Sequence, residues 1–408
     1  MRYKPILSEV LERITPGRQE RENVLREVSA FLKKLNSALG KVARAKAVVG
    51  GSYAKDTWLK QDHDVDIFAK FALSHKGDDL SGLLEKALEG FSPERVHGSR
   101  DYFWVRNNIR FEIVPVLDIK KPEQAENVTD FSPWHVDWVN EHGKGLKGDI
   151  RLTKQFCKAA RCYGAESYIR GFSGHVVDIL TIHYKGFIPL LKAASRWKPK
   201  VVVDFNNVYK GRALLMMNKS KLESPLVVVD PVQPERNAAA ALSEDNFERF
   251  KVAAREFLKN PSVDFFEERS VDCKSLAEKG HLIRVEVKTL DAKEDVAGAK
   301  FVSAFNYVRS ALSDFGVVDA LWEWDRKSRG EWFFVLKKRK LPKSFVRLGP
   351  PLGLAGAVER FKRAHKDTFV RGSRIAARVE RDLTSAEDVL RSALADEYVR
   401  SRVKEVLL

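Results

Sequence analysis

Cysteine is scarce in this chain: Cys157, Cys162 and Cys273 are the only ones in 408 residues. An odd count without a C-x-x-C pair argues against a disulfide framework and against a cysteine-built zinc site. Free thiols suit a reducing compartment, so a cytoplasmic location is expected. Long apolar runs are missing too. No stretch approaches the ~18 apolar residues that a membrane-crossing helix needs. The longest, such as Pro225-Leu226-Val227-Val228-Val229, have the length of a strand. Met1-Arg2-Tyr3-Lys4-Pro5 forms no apolar h-region, so no signal peptide and no membrane partner are expected. Internal repeats and low-complexity tracts are also lacking.

An acidic balance is the last absence. Lys and Arg number 72 against 56 Asp and Glu, a net charge of +16. Such an excess favours a polyanionic partner, because neutralising phosphates releases their counterions. Hydrophobic residues make up 44% and charged ones 31%, the balance of a soluble globular protein rather than a disordered one. The length is enough for about two to four domains.

The most informative segment is Gly50-Gly51-Ser52-Tyr53-Ala54-Lys55-Asp56-Thr57-Trp58-Leu59, followed by Asp64-Val65-Asp66-Ile67-Phe68. In an extended strand alternate side chains share a face, so Asp64 and Asp66 point one way and Val65 and Ile67 the other. Two close carboxylates repel and need a cation. Hard divalent ions take oxygen ligands, and magnesium combines carboxylates with substrate phosphates. A Gly-Gly-Ser turn can offer backbone N–H groups and a hydroxyl to those phosphates. Arg110-Phe111-Glu112-Ile113-Val114 also alternates like a strand, with Glu112 opposed to its apolar neighbours. Three carboxylates on adjacent strands can hold two metal ions for an in-line displacement. A lone D-x-D or Gly-Gly-Ser is usually a solvated strand end or a plain turn. Their order here, with Thr57-Trp58-Leu59 between them, points to a metal–nucleoside triphosphate site.

This pattern resembles the DNA polymerase β-like nucleotidyltransferase superfamily, and most of all the class I, archaeal-type CCA-adding enzymes (tRNA nucleotidyltransferases). Gly164-Ala165-Glu166, Arg170-Gly171-Phe172-Ser173-Gly174, Ile182-His183-Tyr184 and Asp230-Pro231-Val232-Gln233-Pro234-Glu235-Arg236-Asn237 carry the same resemblance. It runs in order over residues 1–260 and more weakly to the end. It implies an α+β multidomain fold: a nucleotidyltransferase head, a helical neck, and a C-terminal α+β body and tail with a β-sheet RNA-binding surface. It implies addition of C, C and A to tRNA 3′ ends from CTP and ATP. Poly(A) or oligoadenylate synthesis by the same head, or a catalytically silent RNA-binding protein, are the alternatives.

The resemblance also assigns roles. Asp64, Asp66 and Glu112 hold one Mg2+ that activates the attacking hydroxyl. Asp64 and Asp66 hold a second that grips the triphosphate. Gly51, Ser52 and Lys55 contact phosphates from the turn; Lys154 and Tyr163 reach the triphosphate; His135 matches the histidine after the third acid; Arg236 matches the arginine that helps read the base. Two departures stand out. The third acid is Glu112 where aspartate is common. The run Thr129-Asp130-Phe131-Ser132-Pro133-Trp134-His135 lacks the usual arginine.

Along the chain, residues 5–40 read as helices, 47–49 and 64–71 as strands, 80–88 as a helix and 102–116 as two strands. Residues 151–164 form an amphipathic helix that stops at Gly164, with Lys154, Lys158 and Arg161 as a basic stripe. Further helices are expected over 173–195 and 237–258. Asn260-Pro261 suggests a boundary, giving a head at 1–145, a neck at 146–259 and a body and tail at 260–408. Strands are expected at 280–288 and 331–338, a helix at 302–315, and an arginine-rich helical end over 353–408. Trp322, Trp324, Trp332, Phe333 and Phe334, among basic residues, read as base-stacking or core aromatics. A homodimer is left open.

Overall fold

A computed structural model describes residues 2–408. Contacts divide the chain into two units, one ending at Glu268 and the other running Arg269–Leu408.

In the first unit, α1 (Lys4–Ile14) and α2 (Arg18–Val42) precede β1 (Ala45–Val49), a single-turn α3 (Gly51–Ala54) and β2 (Asp64–Phe71). Then come α4 (Leu80–Leu88), β3 (Glu94–Val96), β4 (Tyr102–Arg106) and β5 (Arg110–Leu117). The five strands form one sheet in the order β1-β2-β5-β4-β3. Only β2 and β5 run parallel. The alternation in the sequence decides what faces what. Val65, Ile67, Phe111 and Ile113 pack with Val24, Val28, Phe31 and Leu35 of α2 and Leu84 and Leu88 of α4. Phe31 stacks on Phe111 at 4.0 Å. Burying each such side chain is worth about 1.5–3 kcal/mol. The even-numbered face is split. Phe68 and Val116 meet Val136 of α5 (Ser132–His142) at one end, which leaves Asp64, Asp66 and Glu112 at the other. Phe131, at the place of the family arginine, is buried in this core.

The same unit continues with α6 (Lys147–Ala159), α7 (Gly174–His183), α8 (Phe187–Ala194), β6 (Val201–Val203), α9 (Ala213–Met216), β7 (Leu226–Val228) and α10 (Glu244–Lys259). Phe156, Phe187, Phe250, Phe257 and Phe266 centre a core that also takes in Leu7 and Leu11 of α1. Three expectations change here. The helix expected to reach Gly164 ends at Ala159, because Arg161 is left-handed (φ 55°) and Tyr163 bridges Phe172 instead. The stretch 173–195 is two helices, broken at Lys185 and Gly186 (φ 60° and 129°). The helix expected from 237 starts at Glu244, where the Ser243 hydroxyl caps the Asn246 N–H.

The second unit contains α11 (Cys273–Lys279), β8 (His281–Thr289), α12 (Glu294–Ala311), β9 (Val317–Trp324), β10 (Arg329–Leu336) and β11 (Ser344–Pro351). It ends with α13 (Ala355–Ala364), β12 (Thr368–Arg371), β13 (Arg374–Glu380), α14 (Ala386–Ala395), α15 (Glu397–Arg400) and β14 (Val403–Leu407). Its sheets are β14-β8-β10-β9 and β11-β13-β12. The all-helical reading of 353–408 is therefore overturned. Its strands are short, and arginines at exposed positions (Arg371, Arg374, Arg378) hide the period-2 signal. Trp332 and Phe334 are core residues with Phe301 and Phe305, and Phe333 is buried on the opposite face with Leu276, so none of the three can stack on a base. Among the described residues no helix is long and apolar enough to cross a membrane.

Candidate active site

The parallel pairing of β2 with β5 builds the centre of the site. It sets Asp66 opposite Glu112 and Asp64 opposite Arg110. Trp104, opposite Glu112 on β4, donates its indole N–H to Glu112 Oε2 at 2.9 Å. Arg110 hydrogen-bonds Asp64 and lies over the Trp104 ring. Asp66 and Glu112 have no such cation of their own. Burial first, then the neighbouring Asp66 charge, pushes the Glu112 carboxyl up to about 7, against the pull of Trp104 and Arg110. Burial likewise raises Asp66, and Lys55 opposes the shift. Two half-buried acids held on one face and short of positive charge are the environment a divalent cation relieves.

The glycine turn closes over them. Gly50 N–H donates to the Asp66 carbonyl at 2.8 Å. Gly51 is left-handed (φ 53°), and a Cβ there would lie 1.5 Å from Asp66 Oδ2. Only glycine fits that approach. Ser52 follows, half-buried, in the same turn. Hard oxygen donors under a close backbone cradle fit a metal–triphosphate.

Lys55 turns inward. Its ammonium meets Asp178 Oδ2 of α7 at 2.8 Å, with side-chain exposures of only 10% and 3%. Lys154 of α6 is equally buried and donates to the Thr57 carbonyl at 2.9 Å. Burial lowers its pKa to about 8, while Asp178 works in the other direction. The expected basic stripe is thus not a solvated face: Lys154 is inside and Lys158 lies over the Tyr163 ring. Burial raises the Tyr163 hydroxyl well above its ordinary value. That hydroxyl reaches the start of α7, where a Cβ at Gly174 would sit 3.0 Å from it.

His135 and Arg236 meet somewhere else, on Asp230. This fully buried carboxylate accepts His135 Nε2 at 3.1 Å and Arg236 Nη1 at 3.0 Å. It also accepts the backbone N–H groups of Val232 and Gln233. The His175 ring lies 4.0 Å from that of His135, tilted by 43°, and comes within 3.5 Å of Asp230, yet both its ring nitrogens are buried without a hydrogen bond. Burial, then His135, lowers His175 to about 4. Burial alone would raise Asp230, but the histidines hold it far below the usual carboxylate range. The two histidines and Asp230 have metal-ligand spacing, within 4.8 Å. Asp230 nevertheless has its lone pairs committed to donors, one of them a cation, so the cluster is a hydrogen-bonded hub and not an ion site.

Asp178, His175 and the hub role of Asp230 were not read from the sequence. Asp178 had a signal: it interrupts Val176-Val177-Asp178-Ile179-Leu180, and a carboxylate inside an apolar helical run needs a buried partner.

Comparison with known proteins agrees with this architecture. A nucleotidyltransferase domain family matches residues 25–149, the second domain of tRNA nucleotidyltransferase matches 148–267, and the C-terminal domain of CCA-adding enzyme matches 295–407. The chain is similar to the CCA-adding enzyme of Nanoarchaeum equitans, 35% identical over 328 residues, covering 79% of this chain and 80% of that one. It is 31% identical over 405 residues to the CCA-adding enzyme of Pyrobaculum islandicum, covering 95% and 93%. Among solved structures, the Cid1 poly(U) polymerase aligns with a TM-score of 0.52 at 14% identity over 66% of this chain and 99% of that one. A cytoplasmic RNA terminal U-transferase aligns at 0.51 and 15% over the same shares. These two speak for the fold alone. With its head, second domain and C-terminal domain each matched in order, the chain belongs to the CCA-adding enzyme family.

Proposed function

We propose that this chain adds C, C and A to the 3′ end of tRNA, taking CTP and ATP and releasing pyrophosphate. The observation that carries the reading is Asp66 set opposite Glu112 beneath a turn that only glycine can make. The family of its relatives supplies the substrate class. The division of labour follows the sequence: a catalytic head at 1–145, a nucleotide-binding neck at 146–259, and a tRNA-binding body and tail at 260–408. A cytoplasmic location suits that substrate, and a homodimer is compatible with it.

Asp64, Asp66 and Glu112 would hold two Mg2+ ions. Bound there, such ions lower the pKa of the tRNA 3′-hydroxyl and stabilise the departing pyrophosphate. The protein's own groups position and neutralise. Gly51 and Ser52 present the turn to the phosphates. Lys55, Lys154 and Tyr163 supply positive charge and a hydroxyl along the triphosphate. His135 fixes Asp230, and Asp230 fixes Arg236, whose planar fork meets the acceptor edge of cytosine or adenine.

Incubating the purified protein with tRNA lacking its 3′ end, magnesium and each nucleotide tests the reading. The expected product is tRNA extended by C, C and A and no further. Long A tracts would replace it with poly(A) synthesis, and no incorporation would leave an RNA-binding protein.

A further inference from the structure

We propose that Asp178 is a positioning residue of the nucleotide site: from helix α7 it fixes the Lys55 ammonium where the triphosphate must lie. The inference rests on the assignment of Lys55 to the triphosphate. Lys55 closes the glycine turn at residues 50–55, and Asp178 lies in the following helical half of the same unit. The two meet at 2.8 Å across 123 positions of sequence. Around Asp178, Val177, Ile179 and Leu180 are fully or almost fully buried. A carboxylate in such a setting is tolerated only with a partner. A hydrophobic pair would dock the elements as well, so the charge serves something beyond packing.

Three features connect the pair to the reaction centre. Lys55 is anchored to the turn that covers Asp66: its backbone N–H donates to the Gly51 carbonyl at 3.3 Å, and a Cβ at Gly51 would lie 1.5 Å from Asp66 Oδ2. Beyond Asp178, the Lys55 ammonium makes no other hydrogen bond among the described residues, so its remaining N–H donors are available to phosphate oxygens. Asp178 uses only Oδ2; Oδ1 is buried without a partner, so the carboxylate is not saturated as Asp230 is. A lysine stem has several rotatable bonds, and an unheld ammonium must be ordered when the nucleotide binds. Asp178 does that ordering in advance, and preorganisation of this kind appears as affinity for the triphosphate whatever the base.

The test is a cycle with Asp178→Asn, Lys55→Met and the double variant, read by KM and kcat for CTP and ATP on tRNA. Asp178→Asn is expected to raise KM for both nucleotides equally, on the order of tenfold, with kcat and tRNA affinity little changed. Lys55→Met should do the same, and the double variant should match Lys55→Met, because Asp178 acts through Lys55. An unchanged KM in Asp178→Asn, with a raised KM in Lys55→Met, overturns the positioning role and leaves the pair as a docking contact. An unchanged KM in Lys55→Met instead overturns the triphosphate assignment itself. A further rise in the double variant over Lys55→Met also overturns the inference, since Asp178 would then act independently of Lys55. That comparison stays readable if Asp178→Asn does not fold, because the double variant carries no unpaired buried ammonium; if Lys55→Met, which leaves Asp178 unpaired, does not fold, Lys55→Gln takes its place in the cycle, since its amide can still donate to Asp178.

Discussion

Two acidic sites in the first unit, one half-buried and one fully buried, solve opposite problems. Asp66 and Glu112 stand in register on β2 and β5 with too little positive charge, and burial drives their protons on. Asp230 gathers two histidines, an arginine and two backbone amides, and its proton is driven off. The first arrangement is unfavourable by itself and becomes favourable when a cation arrives. The second is complete already and serves to hold its neighbours still. Burial alone therefore does not mark a reactive site; the balance of partners around the buried group does.

The contrast breaks most sharply at Asp66. Asp66→Ala should lower incorporation of both CTP and ATP by roughly a thousandfold or more, while tRNA binding stays nearly intact. Its thermal stability without metal should hold or rise, since an uncompensated half-buried acid has gone. Normal turnover with magnesium present would sink the metal assignment. Asp230→Ala should do the reverse to stability, costing about 3–5 kcal/mol by leaving Arg236 and two amides unpaired. Denaturant unfolding measures both, and equal losses would erase the distinction.

Acid titration without metal separates the sites next. The folded pKa of Glu112 is raised from 4.5 to about 7. Its stabilising protonation is complete below the unfolded value and is lost as pH rises through 7. His175 is lowered from 6.5 to about 4, so its contribution is present above 6.5 and lost as pH falls through 4. Between them the slopes oppose, each on the order of 3 kcal/mol across its window. Glu112→Gln should therefore melt progressively lower on acidification from pH 7 to 4.5, and His175→Gln progressively higher. Parallel melting curves for the two variants would refute this. Magnesium should flatten the Glu112 part, because a bound cation favours the carboxylate.

The smallest effect concerns base choice. Arg236→Ala should narrow the preference for CTP over UTP by about 1–3 kcal/mol, without altering magnesium dependence. Arg236→Lys keeps the charge but not the planar fork, so it should recover selectivity only in part. An unaltered CTP-to-UTP ratio in the alanine variant would reduce Arg236 to a partner of Asp230.

Local patterns were legible in the sequence and distant pairings were not. Asp64, Asp66 and Glu112 could be placed because strand alternation is a two-residue rule, and the Gly50-Gly51 turn because few residues tolerate its backbone. The parallel register that brings Asp66 to Glu112 was not written in either strand. The same holds for Asp178, whose partner lies 123 residues away, and for Asp230, which meets His135 across 95. Strands β11 to β13 escaped because a short sheet with arginines on exposed positions lacks a clear alternation. The end of α6 escaped because Arg161 adopts a left-handed conformation that its residue type does not announce.

The parallel pairing of β2 and β5 has one more consequence. Strands in a sheet lie about 4.8 Å apart whatever side chains they carry. The separation of the acids at their roots is thus a ruler made of main chain, indifferent to residue type. Glu112 in the place of aspartate lengthens one arm of the caliper and leaves its hinge where it was. A site gauged in this way tolerates drift in its side chains, and what it cannot tolerate is a slip of the two strands by a single residue.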